Sequence, residues 1–281
     1  MNDIVKLNDL LNIPSNEMWN YKLHLADWNG YEHPLDVFAR DFNEWKTWNE
    51  WRGNKNDFNQ DFILSFIKDY HKQDKYIFGG CFRVVERYDD YLDTEIGYKV
   101  ELTDFFESLI GRLVIHMDSG ISHRGRAFKL ESYIDCLDFV EISPKRYEGE
   151  NFPGYDNVLI DFSSLEVLVR NQKTDWKTAL SNVKGIYVIV DKSNGKKYVG
   201  SAYGDSGIWS RWCSYAYSGH GGNDELYALI EKFGIEYARK NFQLSILELL
   251  PMKMDDDSVI RRESFWKDVL LTRGEFGYNK N

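Results

Sequence analysis

Tyr187 and Tyr198 stand on the two arms of a short hairpin. Gly185-Ile-Tyr-Val-Ile-Val-Asp191 is apolar and β-branched, Ser193-Asn-Gly195 is turn-forming, and Lys196-Lys-Tyr-Val-Gly-Ser-Ala202 returns. Asn-Gly between two apolar runs is the strongest short-range hairpin signal. Further along come Arg211 and Tyr215, then His220 in Ser218-Gly-His-Gly-Gly222, Glu263, and Asn279 in Phe276-Gly-Tyr-Asn279. Each type has a defined chemical capacity. A guanidinium offers a planar fork to an oxyanion, and a carboxylate holds a hard cation through oxygen. A phenol, with its pKa near 10, is a poor base at neutral pH unless a neighbouring cation helps. Singly, each also has an ordinary reading. A strand tyrosine is core, His220 is a loop histidine, and the acidic run Asp255-Asp-Asp257 suits a helix N-terminus.

Elements to position these groups are legible around them. Gly207-Ile-Trp-Ser-Arg-Trp212 enters a helix that carries Arg211. Asn223 caps the next helix, whose apolar stripe Leu226, Leu229, Ile230, Phe233 ends at Gly234. Phe242-Gln-Leu-Ser-Ile-Leu-Glu-Leu-Leu250 reads as a third strand closed by Pro251, and a helix from Asp255 carries Glu263.

The pair Gly185-Ile186-Tyr187 and Tyr198-Val199-Gly200 resembles the signature of the GIY-YIG nuclease superfamily, with Val in place of the second Ile. The resemblance covers about residues 183–281. It implies a three-stranded antiparallel sheet flanked by helices and hydrolysis of DNA phosphodiesters with Mg2+ or Mn2+. By this resemblance Arg211 serves the scissile phosphate, Glu263 binds the single divalent metal, and Asn279 supports the site. Tyr187 activates or orients water, Tyr198 assists it, and Lys196 and Lys197 add positive charge. Many members carry a histidine where this chain has Tyr215, although the excision-repair branch also has tyrosine there. His220 is a candidate replacement.

The first half differs in texture. Phe38, Phe42, Trp45, Trp48 and Trp51 recur at helical spacing, and Phe62, Phe66 and Tyr70 resume the stripe, so residues 1–75 read as helical. Short β-branched and aromatic runs follow to about Val169: Tyr76 to Val85, Ile96 to Leu102, Arg112 to His116, Cys136 to Ile142 and Val158 to Ile160. They predict a small β-barrel or curled sheet. Gly79-Gly80 marks a bulge or a close backbone approach. The run from Phe78 to Val85 resembles in outline the PUA-like modified-base readers, with no residue carried over. A loop with His123, Arg124 and Arg126 is a candidate DNA contact, its plainer reading a solvated loop.

The 281-residue chain is 43% hydrophobic and 28% charged, which is a globular balance. Its net charge of −10 sits poorly with a polyanionic partner. From Asp175 onward, however, roughly 15 Lys/Arg face 14 Asp/Glu, so the acidic excess belongs to the first part. Cys81, Cys136 and Cys213 lack pairing or zinc-ligand spacing, and neither a signal peptide nor a membrane span is legible. The expectation is an α+β chain with a target-recognition domain at 1–172 and a nuclease domain at 173–281. It is expected in the cytoplasm, acting on double-stranded DNA, modified or foreign, in restriction or defence, with homodimerisation one route to double-strand cuts. A repair or mobile-element nuclease, or an inactive DNA-binding or ligand-sensing module on the same fold, are the alternatives.

Overall fold

A computed structural model describes residues 4–91, 95–117 and 126–280. The chain divides into two compact units, Met1–Tyr147 and Glu148–Asn281.

In the first unit the elements run α1 (Leu7–Leu11), β1 (Tyr21–Ala26), α2 (Pro34–Arg40), α3 (Phe42–Thr47), β2 (Trp51–Gly53), β3 (Phe62–Lys68), β4 (Lys75–Tyr91), β5 (Glu95–Leu102), β6 (Leu113–His116), β7 (Ala127–Lys129), α4 (Leu130–Tyr133) and β8 (Asp138–Ile142). Among the described residues they build one eight-stranded, curled half-barrel sheet of order β2-β5-β4-β3-β1-β7, with β6 joining β4 to β8. Only the β1–β3 pair among these is parallel. The curled sheet agrees with the sequence expectation, but the helical reading of residues 1–75 needs correction. Asp41 breaks the aromatic stripe by capping α3, accepting from the amides of Asn43 and Glu44. Phe62 and Phe66 lie on β3, not on a helix. A spacing of four keeps side chains on one face of a strand as well as a helix. Ile63, Leu64, Phe66 and Ile67 are all buried, as suits a strand with neighbours on both sides.

Gly79 and Gly80 behave as expected. The β3–β4 register slips there, with Ser65 opposite Gly80 and Phe66 opposite Phe78. The Trp45 indole lies across Gly79, where a Cβ would come within 2.6 Å of the ring. Its Nε1 donates to the Gly79 carbonyl at 2.9 Å.

The second unit runs β9 (Leu159–Asp161), α5 (Phe162–Arg170), α6 (Thr174–Ser181), β10 (Lys184–Asp191), β11 (Lys197–Ala202), α7 (Gly207–Ser218), α8 (Asp224–Phe233), α9 (Ile235–Asn241), β12 (Phe242–Leu250) and α10 (Asp256–Val269). Its sheet has four strands among the described residues, in the order β11-β10-β12-β9, where three were expected. The extra strand, β9, pairs antiparallel with β12. Phe162, Leu165, Leu168 and Val169 of α5 enter the same core as Tyr187 and Trp212. The division between units therefore falls at Tyr147–Glu148, ahead of the expected boundary near Gln172.

Strand alternation sets two faces on β10. Tyr187 and Ile189 share a core with Ile208, Trp212 and Tyr215 of α7. Ile186 and Val188, with Val199 of β11, pack instead with Val259 of α10. The sheet thus lies between α7 and α10, with β11 as its edge strand. No helix of the described residues is long and apolar enough to cross a membrane.

Candidate active site

The hairpin register decides where the two tyrosines go. Tyr187 is opposite Gly200 and Tyr198 is opposite Ile189, so the phenols are diagonal neighbours on the face toward α7. Tyr187 reaches across the edge strand only because position 200 lacks a side chain: a Cβ there would sit 2.5 Å from the Tyr187 hydroxyl. Arg211 and Tyr215 are one turn apart on α7. The Tyr187 and Tyr215 hydroxyls are hydrogen-bonded at 3.1 Å. The Tyr198 ring is 6.2 Å from that of Tyr215. The Arg211 guanidinium carbon lies 5.6 Å from the Tyr215 ring centre, and its Nη2 donates to the Gly221 carbonyl at 3.3 Å.

Burial dominates the acid–base character of this cluster. It pushes the Tyr187 and Tyr215 phenols well up from their usual value, with the opposing pull of Arg211 too weak to reverse it. Tyr198 is also raised, by burial and by the Glu263 charge, against hydrogen bonding to Tyr215 and the charge of Arg211. Burial works against the Arg211 charge, but the three phenols around it outweigh that and raise its pKa. At neutral pH the cluster is three neutral phenols and one cation.

On the other face of the edge strand stands α10. Asp255 caps it, accepting from the Ser258 amide at 2.8 Å, and Asp256 pairs with Lys184 at 2.9 Å. The acidic run is thus a helix start, as expected. Glu263 lies further along, where Ser201 of β11 donates its hydroxyl to Oε2. Lys267, one turn on, holds Oε1 with its ammonium at 2.8 Å. A cleft of about 390 Å³ opens here, lined by Tyr198, Ser201, Tyr203, Ser210, Arg211 and Glu263. It receives Tyr198 and Arg211 from one side of β11 and Ser201 and Glu263 from the other.

Asn279 supports the edge strand. Its side chain clamps Val199, taking the amide at 2.9 Å and giving to the carbonyl at 2.8 Å. The Tyr278 amide bonds the Lys197 carbonyl at 2.9 Å, so the C-terminal segment covers the outer edge of β11 next to the cleft-lining residues.

The remaining candidates lie elsewhere. Tyr187 and Tyr215 are buried behind Tyr198 and do not line the cleft. His220 sits in its own turn, its Nδ1 accepting from the Gly222 amide at 3.1 Å and its ring edge-on to Tyr227. Lys196 lies over the Tyr278 ring, and Lys197 donates to the Gly195 carbonyl, both at the turn end of the hairpin. Arg126 clamps the carbonyls of Asp27 and Trp28. His123 and Arg124 lie outside the described residues. Ser201, Ser210, Tyr203 and Lys267 were missed by sequence reasoning. The Glu263–Lys267 spacing of four was available as a signal, whereas Ser201 needed the hairpin register.

Among the described residues no group of three or more His, Cys, Asp or Glu could hold a metal. Glu263 is the one carboxylate lining the cleft among them. Mg2+ and Mn2+ suit such a site, because hard cations of this size are often held by one or two carboxylates, waters and substrate phosphate. A single carboxylate oxygen donor is of the kind that hard divalent cations accept.

Among solved structures, the chain is similar to the catalytic domain of homing endonuclease I-TevI. The identity is 34%, over 35% of this chain and 98% of that one, with a TM-score of 0.28. A point mutant of the catalytic domain of intron endonuclease I-TevI matches at 32% identity, over 35% of this chain and 94% of that one, also with a TM-score of 0.28. No protein-family model matches the chain. No curated protein matches it either.

Proposed function

We propose that the second unit is a divalent-metal-dependent endodeoxyribonuclease of the GIY-YIG type. The observation that carries this reading is one cleft into which Arg211 and Glu263 converge from opposite sides of an edge strand, with Tyr198 in the same lining. Hydrolysing a phosphodiester needs a bound oxyanion, an oriented water and relief of charge on the leaving oxygen. When bound at Glu263, Mg2+ or Mn2+ supplies Lewis acidity and lowers the pKa of water. Arg211 binds the non-bridging oxygens as negative charge grows, its fork held by the Gly221 carbonyl. Tyr198, the phenol that faces the cleft, orients the attacking water, and Tyr187 behind it is a positioning residue with Tyr215. Burial keeps these phenols protonated at neutral pH, which suits them to hydrogen bonding rather than to proton abstraction. Asn279 keeps β11 in register for both Tyr198 and Ser201.

The first unit reads the target in this proposal. The exposed Trp19, at 63%, offers a face on which a base stacks. Restriction or defence against modified or foreign double-stranded DNA is the setting that a reader joined to a cutter serves, with paired copies making the two cuts.

The test is cleavage of unmodified, 5-methylcytosine and hydroxymethylcytosine plasmid DNA with Mg2+ or Mn2+, beside Glu263→Ala and Arg211→Ala. Metal-dependent cutting that both variants lose is the expected result. Variants that cut as well as the parent chain reject the site, and a preference among the substrates assigns reading to the first unit.

A further inference from the structure

Glu263 meets two partners that have no evident use in cutting DNA. Ser201 occupies Oε2 and the ammonium of Lys267 sits 2.8 Å from Oε1. Lys267 is buried at 7% exposure, so little water screens its charge from the carboxylate. Arg211 is the cation that lines the cleft with Glu263 among the described residues. Glu263 thus enters the cleft already paired with a buried cation, which balances its charge before any substrate enters. The Lys267 ammonium competes with a divalent cation for this carboxylate, since a unit charge a few ångströms away acts strongly where water is scarce.

We infer that the Glu263–Lys267 ion pair makes this a DNA-gated cation site, in which Lys267 suppresses divalent binding until a DNA phosphate supplies the missing negative charge. This rests on the reading of Glu263 as the cation ligand. The geometry separates the tasks by side of the carboxylate. Ser201 fixes one oxygen from the edge strand, and Lys267 balances the other from its own helix. A lone Glu263 would load with cation continuously, whereas the paired one loads only with the phosphate that Arg211 captures. Lys267 is in this sense a positioning and gating residue, and it touches no substrate atom.

The test is Mn2+ binding to the full chain, by calorimetry and by electron paramagnetic resonance of the free ion, with and without a short phosphorothioate DNA duplex. The parent chain is expected to bind Mn2+ weakly alone and on the order of tenfold more tightly with the duplex. Lys267→Met, close in shape and uncharged, is expected to bind Mn2+ on the order of tenfold more tightly without DNA. Lys267→Arg keeps the charge and is expected to behave as the parent. Thermal melts of both variants establish folding, and Lys267→Gln replaces Lys267→Met if the latter fails to fold. Equal Mn2+ affinity with and without duplex overturns the gate, as does a Lys267→Met chain that binds Mn2+ no better or less well. In those cases Glu263-dependent cleavage still stands by itself. If Glu263→Gln leaves Mn2+ binding unchanged, the metal assignment fails and the gate fails with it.

Discussion

Asp191 and Glu263 are acidic groups at opposite ends of one hairpin, each with tyrosines nearby, and their surroundings differ. Asp191, at the turn end, is fully buried. Its Oδ1 accepts from the Ser193 amide and hydroxyl at 3.0 and 2.6 Å. Its Oδ2 accepts from Asn194, Tyr237 and Tyr278 at 3.0, 2.8 and 2.6 Å. Each of these donors is neutral, and both carboxylate oxygens are engaged. Glu263, at the open end, lines a cleft with Arg211, pairs with Lys267 and has one hydroxyl donor, Ser201. The contrast separates a carboxylate that holds the fold from one that is available to a ligand, although both sit beside phenols in the same unit.

The comparison breaks most visibly if substitutions at the two ends have the same kind of effect. Glu263→Gln, which keeps an oxygen for Lys267 to donate to, and Arg211→Ala are expected to lower plasmid cleavage by about 10²–10³-fold while leaving the melting temperature nearly unchanged. Single-turnover assays beside calorimetric melts check both halves of that statement. Asp191→Ala is expected to do the reverse. It strands several buried donors and costs about 3 kcal/mol of stability by denaturant titration, with residual cutting in proportion to the folded fraction.

Tyr198→Phe sharpens the contrast within the phenol cluster. It is expected to slow the chemical step by about 10²-fold with substrate affinity unchanged, and Tyr187→Phe, behind it, is expected to slow it less. An equal or larger effect at Tyr187 returns the water-orienting role to that residue. Asn279→Ala removes two hydrogen bonds to Val199 and is expected to cost about 1–2 kcal/mol, with a partial loss of cleavage from the loosened edge strand.

The smallest expected effect is in acid. Burial pushes Asp191 up, but hydrogen bonds from Ser193, Tyr278 and Tyr237 outweigh it and hold the group below its usual range. A depressed folded-state pKa stabilises above the unfolded value near 4 and is lost as pH falls through the folded value. Melting temperatures from about pH 5 down to about pH 2.5 should therefore fall less steeply for Asp191→Asn than for the parent. A parallel fall places the acid sensitivity elsewhere.

Much of the hairpin and its neighbours was legible because those signals are local. Asn194-Gly195 marks a turn, Asn223 caps α8 by accepting from the Leu226 amide, and Glu263 follows a helix start at Asp255. The paired tripeptides also placed Tyr187 and Tyr198 on facing strands. Face is readable from alternation, but depth is not. Tyr187 and Tyr198 share a face, yet only the latter reaches the cleft, because α7 lays Tyr215 over the former. The same limit hid β3, whose spacing of four fits helix and strand alike until neighbours on both sides choose. It also hid the sheet to which the Val158 to Ile160 run belongs, since that strand, β9, finds its partner more than eighty residues away on β12.

The sequence by itself determined the hairpin, the order of the residues able to do chemistry and the helix that carries Glu263, since these follow from turn residues, caps and periodicity within a few turns of chain. Only the tertiary structure decided that Asn279 grips Val199, that Ser201 meets Glu263, and that Asp191 is sealed while Glu263 stays open. Those outcomes depend on strand register and on which helix covers which face, and the packing of distant segments sets both.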